Sequence, residues 1–265
     1  MSAPIVDQAF RSLLAGFGRL DMVASDIKSA MLTEHRRLET NLAVSTASGR
    51  VDLKISSHSM SYRNIETNAP VFYDYSERGY EEAREDLISY RNKQYQWVLV
   101  EGFELFEAFL STSYAACKTW LPIADIPKNE RDSSAKLNAL RRSLPNLVLK
   151  ETRNARNINY RSSVALIELL RHVIVHRGGW VQDEAKFLMR LRSLVQKNNS
   201  GAADPEIEND SKLFLHRGTH GTEVHLLEKP DQSSAHAYTD RLGTLLGWLV
   251  TYSDCLKTEL VRKSS

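Results

Sequence analysis

Near the start of the chain Val6, Phe10, Leu13, Leu14 and Phe17 recur at the three- and four-residue spacing of a helix face, and Leu20, Val23, Ile27 and Met31 continue the stripe. Gly16 and Gly18 interrupt it, so the pattern predicts a helix over about residues 4–36, kinked or broken at the glycines. Leu42-Ala43-Val44, then Ser48-Gly49, then alternating Val51, Leu53 and Ile55 predict a short hairpin. After a loop containing Pro70, residues 77–92 read as a polar helix. The next helix carries Tyr95, Val98, Leu99, Gly102, Phe103, Phe106, Phe109 and Leu110 on one stripe, which has to be buried.

Pro122 and Pro127 mark a connection, Asp132-Ser133-Ser134 offers caps, and residues 135–144 read as a short basic helix ended by Pro145. A helix over 156–177 follows, then one over 183–197 with Asp183 as its cap. Residues 198–210 read as a loop and 213–227 as a hairpin turning at Gly218-Thr219-His220-Gly221. A final helix over 236–261 turns Leu242, Leu245, Leu246, Leu249, Val250 and Tyr252 inward. The expected fold is mainly α, a helical bundle with short β-hairpin additions. Residues 1–92 form an N-terminal extension packed on a bundle of 93–265, which carries a loop and hairpin insert at about 198–230.

With 265 residues, 42% hydrophobic and 26% charged, the chain has enough apolar surface for a sizeable core. No apolar run approaches membrane-spanning length, and Met1-Ser2-Ala3-Pro4 lacks the basic and apolar regions of a signal peptide, so a cytoplasmic, membrane-free protein is expected. Cys117 and Cys255 both lie in apolar helical stretches and are expected to be packing residues. The net charge of +2 does not by itself announce a nucleic-acid binder. Its distribution is uneven, however. Between Lys128 and Arg161 nine basic side chains, among them Arg141, Arg142, Arg153, Arg156 and Arg161, face only Glu130, Asp132 and Glu151. Acidic residues gather instead over 74–86 and 204–210.

The basic run leads into the one helix with distinctive chemistry. Leu166, Leu169, Leu170 and Val173 share one side, Ile167 and Ile174 lie beside them, and Val164 and Val175 widen the apolar surface. A polar stripe of Arg161, Glu168, His172 and His176 interrupts it, with Arg171 roughly 140° around the axis from His176. Gly178 supplies a left-handed stop, which leaves His176 in the last turn among unpaired carbonyls. The helix dipole favours a charged imidazole there while Arg171 and Arg177 oppose it, so the sign of any pKa shift stays open.

Arg171-His172-Val173-Ile174-Val175-His176 resembles the signature of the HEPN superfamily (higher eukaryotes and prokaryotes nucleotide-binding): an Arg, a polar residue, a short apolar spacer and a His near a helix end. The resemblance covers roughly residues 94–195 and the final helix. It implies a helical bundle and a metal-independent endoribonuclease that needs no cofactor, is often dimeric, and serves as a toxin or phage-defence effector. His176 would be the general base or acid, Arg171 would brace the phosphate, and His172 would be the second proton carrier or a positioning group. Glu101 and Glu104 would orient Arg171, and Arg141, Arg142, Arg153, Arg156, Arg161 and Arg177 would hold the RNA backbone. A homodimer would place two such sets around one scissile bond. Some family toxins carry a Tyr two residues after the His, where a partner nucleotidyltransferase modifies them. Here that position is Gly178, so the pairing is not implied and any antitoxin or regulator is unknown.

Other readings compete. Arg171 could pair with Glu101 or Glu104 for structure alone, with Glu101, Glu104 and Glu107 a solvated edge and both histidines satisfied by backbone groups. His172 and His176 could ligate zinc together with His216, His220 or His225, although a zincin needs Glu where Val173 stands. Gly16-Phe17-Gly18 lacks the third glycine and preceding strand of a dinucleotide fingerprint, and neither a P-loop nor a Gly-x-Ser-x-Gly elbow occurs. The alternative function is a non-catalytic helical RNA-binding or protein-interaction module.

Overall fold

A computed structural model describes residues 3–48, 59–74, 79–120, 129, 132–198, 204–218, 221–230 and 238–264. The chain is mainly α. In order come α1 (Ala3–Ala47), β1 (Ser59–Arg63), β2 (Pro70–Asp74), α2 (Tyr80–Cys117), a 3₁₀ turn (Lys118–Trp120), α3 (Ser133–Ser143), α4 (Pro145–Thr152) and α5 (Tyr160–Arg177). Then follow β3 (Trp180–Val181), α6 (Glu184–Asn198), α7 (Pro205–Leu213), β4 (Leu215–Gly218), β5 (Gly221–Val224), β6 (Lys229–Pro230), β7 (Tyr238–Thr239) and α8 (Arg241–Ser264). Among the described residues no helix is long and apolar enough to cross a membrane.

Two compact units result: Met1–Ala24 with Gln94–Ser265, and Ser25–Lys93. The second holds the antiparallel hairpin of β1 and β2. In the first, α5 is the central element, with all but a few of its residues from Tyr160 to Ile174 buried. Around it lie Leu99, Phe103, Phe106 and Leu110 of α2, Leu140 of α3, Leu147 of α4, Leu191 of α6 and Leu249 and Tyr252 of α8, each nearly inaccessible to solvent. A small sheet in the order β3-β5-β4, antiparallel throughout, closes one end of α5.

Several boundaries differ from the sequence expectation, each for a local reason. The helix expected to break at Gly16 runs through it as α1, because a Cβ there would meet Leu105 of α2 at 2.6 Å. That glycine serves close helix approach rather than a kink. Residues 42–47 are helical rather than the first strand of a hairpin, and most of the rest of that hairpin lies outside the described residues. The helices expected over 77–92 and from 95 onward are one helix, α2. Pro145 does not only end α3. It occupies the first turn of α4, where its missing N–H costs nothing. Likewise Pro205 starts α7 inside the expected loop, with Glu206 and Glu208 in the dipole-favoured first turn and Ile207 buried. Helix α5 begins at Tyr160 and not at Arg156, because Asn154 organises a turn, donating from Nδ2 to the Ile158 carbonyl at 2.7 Å while Asn157 takes a φ of 52°.

One charged cluster ties four helices together. Glu151 of α4 is completely buried, and its carboxylate accepts from Arg141 Nε of α3 at 2.7 Å, from Arg161 Nε and Nη2 of α5 at 2.9 and 2.7 Å, and from the Tyr252 hydroxyl of α8 at 2.5 Å. Arg141 also donates to Tyr252 and to Asn138. Burial pushes the Tyr252 phenol well above its ordinary pKa, so it stays a neutral donor. Burial opposes the charge on Arg141, but Tyr252 and Glu151 outweigh it and raise its pKa. Replacing Glu151 by Gln leaves two buried guanidiniums without a counter-charge. We expect Glu151→Gln to lose about 3–5 kcal/mol of unfolding free energy in a urea titration; a loss under ~1 kcal/mol would show that the cluster is not what holds these helices.

Candidate functional site

The end of α5 is set by two glycines that do different work. Gly178 adopts the left-handed conformation, φ 58°, and both its N–H and that of Gly179 turn back to the Val173 carbonyl. Gly179, at φ 86°, lies so close to Gln96 of α2 that a Cβ would sit 2.5 Å from Gln96 Oε1. Buried Gln96 donates to the Val224 carbonyl at 2.6 Å, and Val224 N–H donates to the Gly179 carbonyl at 2.8 Å. The chain is thereby led into β3 and back over the end of α5. Asp183 then caps α6, accepting from the Lys186 N–H at 3.0 Å.

This path leaves a cleft of about 420 Å³ between the last turns of α5 and the first turns of α6. His172, Arg177, Lys186 and Arg190 line it, with Asp183 at the rim and an apolar floor that includes buried Phe187. His172 and His176 lie one turn apart with their rings in a tilted contact, centroids 4.6 Å apart and planes inclined by 51°. His176 is exposed and His172 half-buried. Burial lowers the His172 pKa first, and Arg190, His176, Arg177 and Arg171 push it further in the same direction. At neutral pH His172 is therefore the free imidazole.

Arg171 faces the other way, toward α2. Its Nη2 lies 3.8 Å from Glu104 Oε1 and 3.9 Å from Glu107 Oε2, and its guanidinium is 5.8 Å from the Phe103 ring centroid. These are ion-pair distances without hydrogen bonds. Glu107 is itself held by the Ser133 hydroxyl at 2.7 Å, and Arg171 Nε is buried with no hydrogen-bond partner among the described residues. Of the two carboxylates expected to orient Arg171, Glu104 is beside it. Glu101 instead lines a groove with Arg19 and Leu20 of α1, and Glu107 takes its place. Among the described residues no hydrogen bond or ion pair joins Arg171 to His176.

No protein family, no curated protein and no solved structure matches this chain.

The expected RNA-binding arginines separate into two classes. Arg141 and Arg161 are 6% and 7% exposed and bound to Glu151, so they form the core and offer phosphates no contact, a correction to the sequence expectation. The remainder, Arg142, Arg153 and Arg156, are exposed on α3 and the turn before α5, and Arg177 lines the cleft. Within the same basic run Lys136 is buried against Ser111 and Lys150 pairs with Glu259, while Lys128 and Arg131 lie outside the described residues. Sequence reasoning missed Lys186 and Arg190. Their signal was present as two basic residues four apart on the helix that follows the glycine stop, which puts them on one face.

The hairpin histidines are a separate pair. His216 and His225 have ring centroids 5.0 Å apart, and His225 Nδ1 lies 3.7 Å from Glu223 Oε1, while His220 is outside the described residues. No group of three or more His, Cys, Asp or Glu among the described residues is arranged to hold a metal ion. Burial raises both thiols, that of Cys117 to about 11, which keeps them protonated.

The field around His172 has a direct consequence for its titration. In proton NMR its imidazole should titrate below the ordinary value of 6.5, and Arg190→Gln should move the midpoint upward by removing the cation that acts on it most strongly, without restoring it fully because burial remains. A midpoint at or above 6.5 in the unmodified protein would contradict the charge arrangement.

Proposed function

We propose that the protein is a metal-independent endoribonuclease of HEPN type, acting at the exposed end of α5. The observation that carries this reading is the adjacent His172 and His176 pair, one imidazole held as free base and the other exposed, beside a cleft lined with cations. Two imidazoles one turn apart supply both proton movements that RNA transesterification needs. The 2′-oxygen attacks the adjacent phosphorus while neutral His172 takes its proton. The bond from phosphorus to the 5′-oxygen breaks, its electron pair stays on that oxygen, and His176 delivers a proton to it. The products are a 2′,3′-cyclic phosphate and a 5′-hydroxyl, with no water or redox change. Arg171 stabilises the charge developing on the phosphoryl oxygens. In the HEPN resemblance such an activity belongs to a toxin or defence effector acting in the cytoplasm.

A second reading is favoured by one observation, the placement of Arg171 between Glu104 and Glu107. Under it the arginine is structural, and the chain is a non-catalytic RNA-binding or interaction module. Cleavage separates the two readings. Purified protein incubated with mixed RNA and EDTA should produce fragments ending in cyclic phosphate. Arg171→Ala and His176→Ala should each lower the rate by about 10²–10⁴-fold with an unchanged melting curve. Full cleavage by both variants would assign the motif to structure, and loss of cleavage on chelation would point to a metal.

Arg171 lies roughly 100° around α5 from His172 and roughly 140° from His176. A two-fold pairing of chains would bring Arg171 of one copy toward the histidines of the other, and this composite site is the form we propose for the active enzyme. Light scattering at micromolar concentration should give twice the 30.1 kDa chain mass. An active species at the single-chain mass would exclude the composite site.

A further inference from the structure

We propose that the cleft between α5 and α6 is a seat for a ribose-linked phosphate, gripped by Arg177, Lys186 and Arg190 and placed beside the histidine pair. The proposal deepens the ribonuclease reading and rests on it, since it names the group by which the substrate is held next to the bond to be broken.

Three cations converge on one cleft of about 420 Å³. Of the two carboxylates nearest in sequence, one pairs with a cation inside the cleft and the other turns away. Asp183 spends Oδ1 on capping α6 through the Lys186 N–H, and its Oδ2 lies 3.2 Å from Lys186 Nζ. Glu184 turns away to Arg217, at 3.2 Å. Arg177 and Arg190 have no ion-pair or hydrogen-bond partner among the described residues. Arg192, further along α6, shows the contrast: it makes a two-pronged pair with Glu208 of α7. Helix α6 thus neutralises the arginine outside the cleft and leaves the one inside it unmatched.

Arg177 and Arg190 repel one another, and after burial they are among the charges that favour the neutral form of His172. A bound dianion or diester removes that repulsion. Buried Phe187 lines the cleft with the cations, which themselves face solvent, so their attraction for an anion is long-range and screened by salt. The volume falls in the range of small-ligand sites and suits one phosphate with its ribose. The ligand chemistry is shared by a phosphate within an RNA strand and by the terminal phosphate of a mononucleotide.

The test uses the full chain and three probes: a single-stranded 2′-O-methyl oligoribonucleotide of mixed sequence, which cannot undergo 2′-OH attack, a ribonucleoside 5′-monophosphate, and inorganic phosphate. Affinity is measured by calorimetry and the His172 imidazole is followed by NMR. The oligonucleotide should bind and raise the His172 midpoint, because its negative charge offsets Arg177, Lys186, Arg190, Arg171 and His176, with Asp183 the one opposing carboxylate that lines the cleft among the described residues. Lys186→Gln combined with Arg190→Gln should weaken binding by about tenfold or more and reduce its salt dependence. The Lys186 side chain is 78% exposed and Arg190 is also exposed, so the double variant should fold. Arg11→Gln combined with Arg217→Gln removes the same charge outside the cleft and should leave affinity unchanged. If the mononucleotide raises the midpoint as the oligonucleotide does, the seat accepts a terminal phosphate; if only the oligonucleotide does, it accepts a strand phosphate. Equal weakening by both double variants, an unmoved His172, or binding of inorganic phosphate alone would overturn the proposal. Binding through the cleft by a protein that cuts no RNA would overturn the ribonuclease reading while leaving the seat in place, so the two failures are distinct.

Discussion

One completely buried carboxylate, that of Glu151, anchors the central helix. It draws Arg141, Arg161 and Tyr252 onto two oxygen atoms and so joins α3, α4, α5 and α8 at one point. Apolar packing alone lets a buried helix slide or rotate at little cost, because neighbouring methyl groups are nearly interchangeable. A carboxylate that must satisfy two guanidiniums has only one arrangement that does so. With Arg161 fixed in the first turn of α5, the rotation of the whole helix is fixed, and with it the directions in which Arg171, His172 and His176 leave the other end.

The glycine pair converts that rotation into a site. Gly178 ends the helix and Gly179 passes against Gln96, where a side chain would collide. The strand pairing that follows returns the chain so that α6 starts close to the last turn of α5, with Asp183 capping it. Cations from two helices then share a cleft with a neutral imidazole. The same geometry keeps Arg171 apart, over Phe103 and between two carboxylates. The α5 end therefore presents two chemically different faces, one with the two imidazoles and one with the cation beside Glu104 and Glu107.

The energetic logic of the two halves is opposite. Around Glu151 the charges are dry, paired and held by several hydrogen bonds each, which makes them structural. Around His172 they are exposed to solvent, and among the described residues Arg177 and Arg190 have no ion-pair or hydrogen-bond partner. Clustering like charges costs stability, and a protein tolerates it where a ligand recovers the cost.

By itself the sequence determined that the chain is mainly helical, that α5 is buried with His176 in its last turn, that Gly178 stops it, that α6 begins at an Asp183 cap and that a long apolar helix closes the chain. These features are written in local periodicity and in capping residues whose effect reaches only a turn or so. It did not separate Arg141 and Arg161 from Arg142, Arg153 and Arg156. A run of basic residues reads the same whether its members face water or a carboxylate, and the partners that decide lie ten residues away in Glu151 and more than a hundred in Tyr252. Lys186 and Arg190 were hidden for the same reason. They join the motif only because Gly179, Gln96 and Val224 meet across the fold, which puts the end of one helix against the start of the next. Local spacing fixes which face of a helix a residue occupies, and tertiary contact alone decides what that face meets.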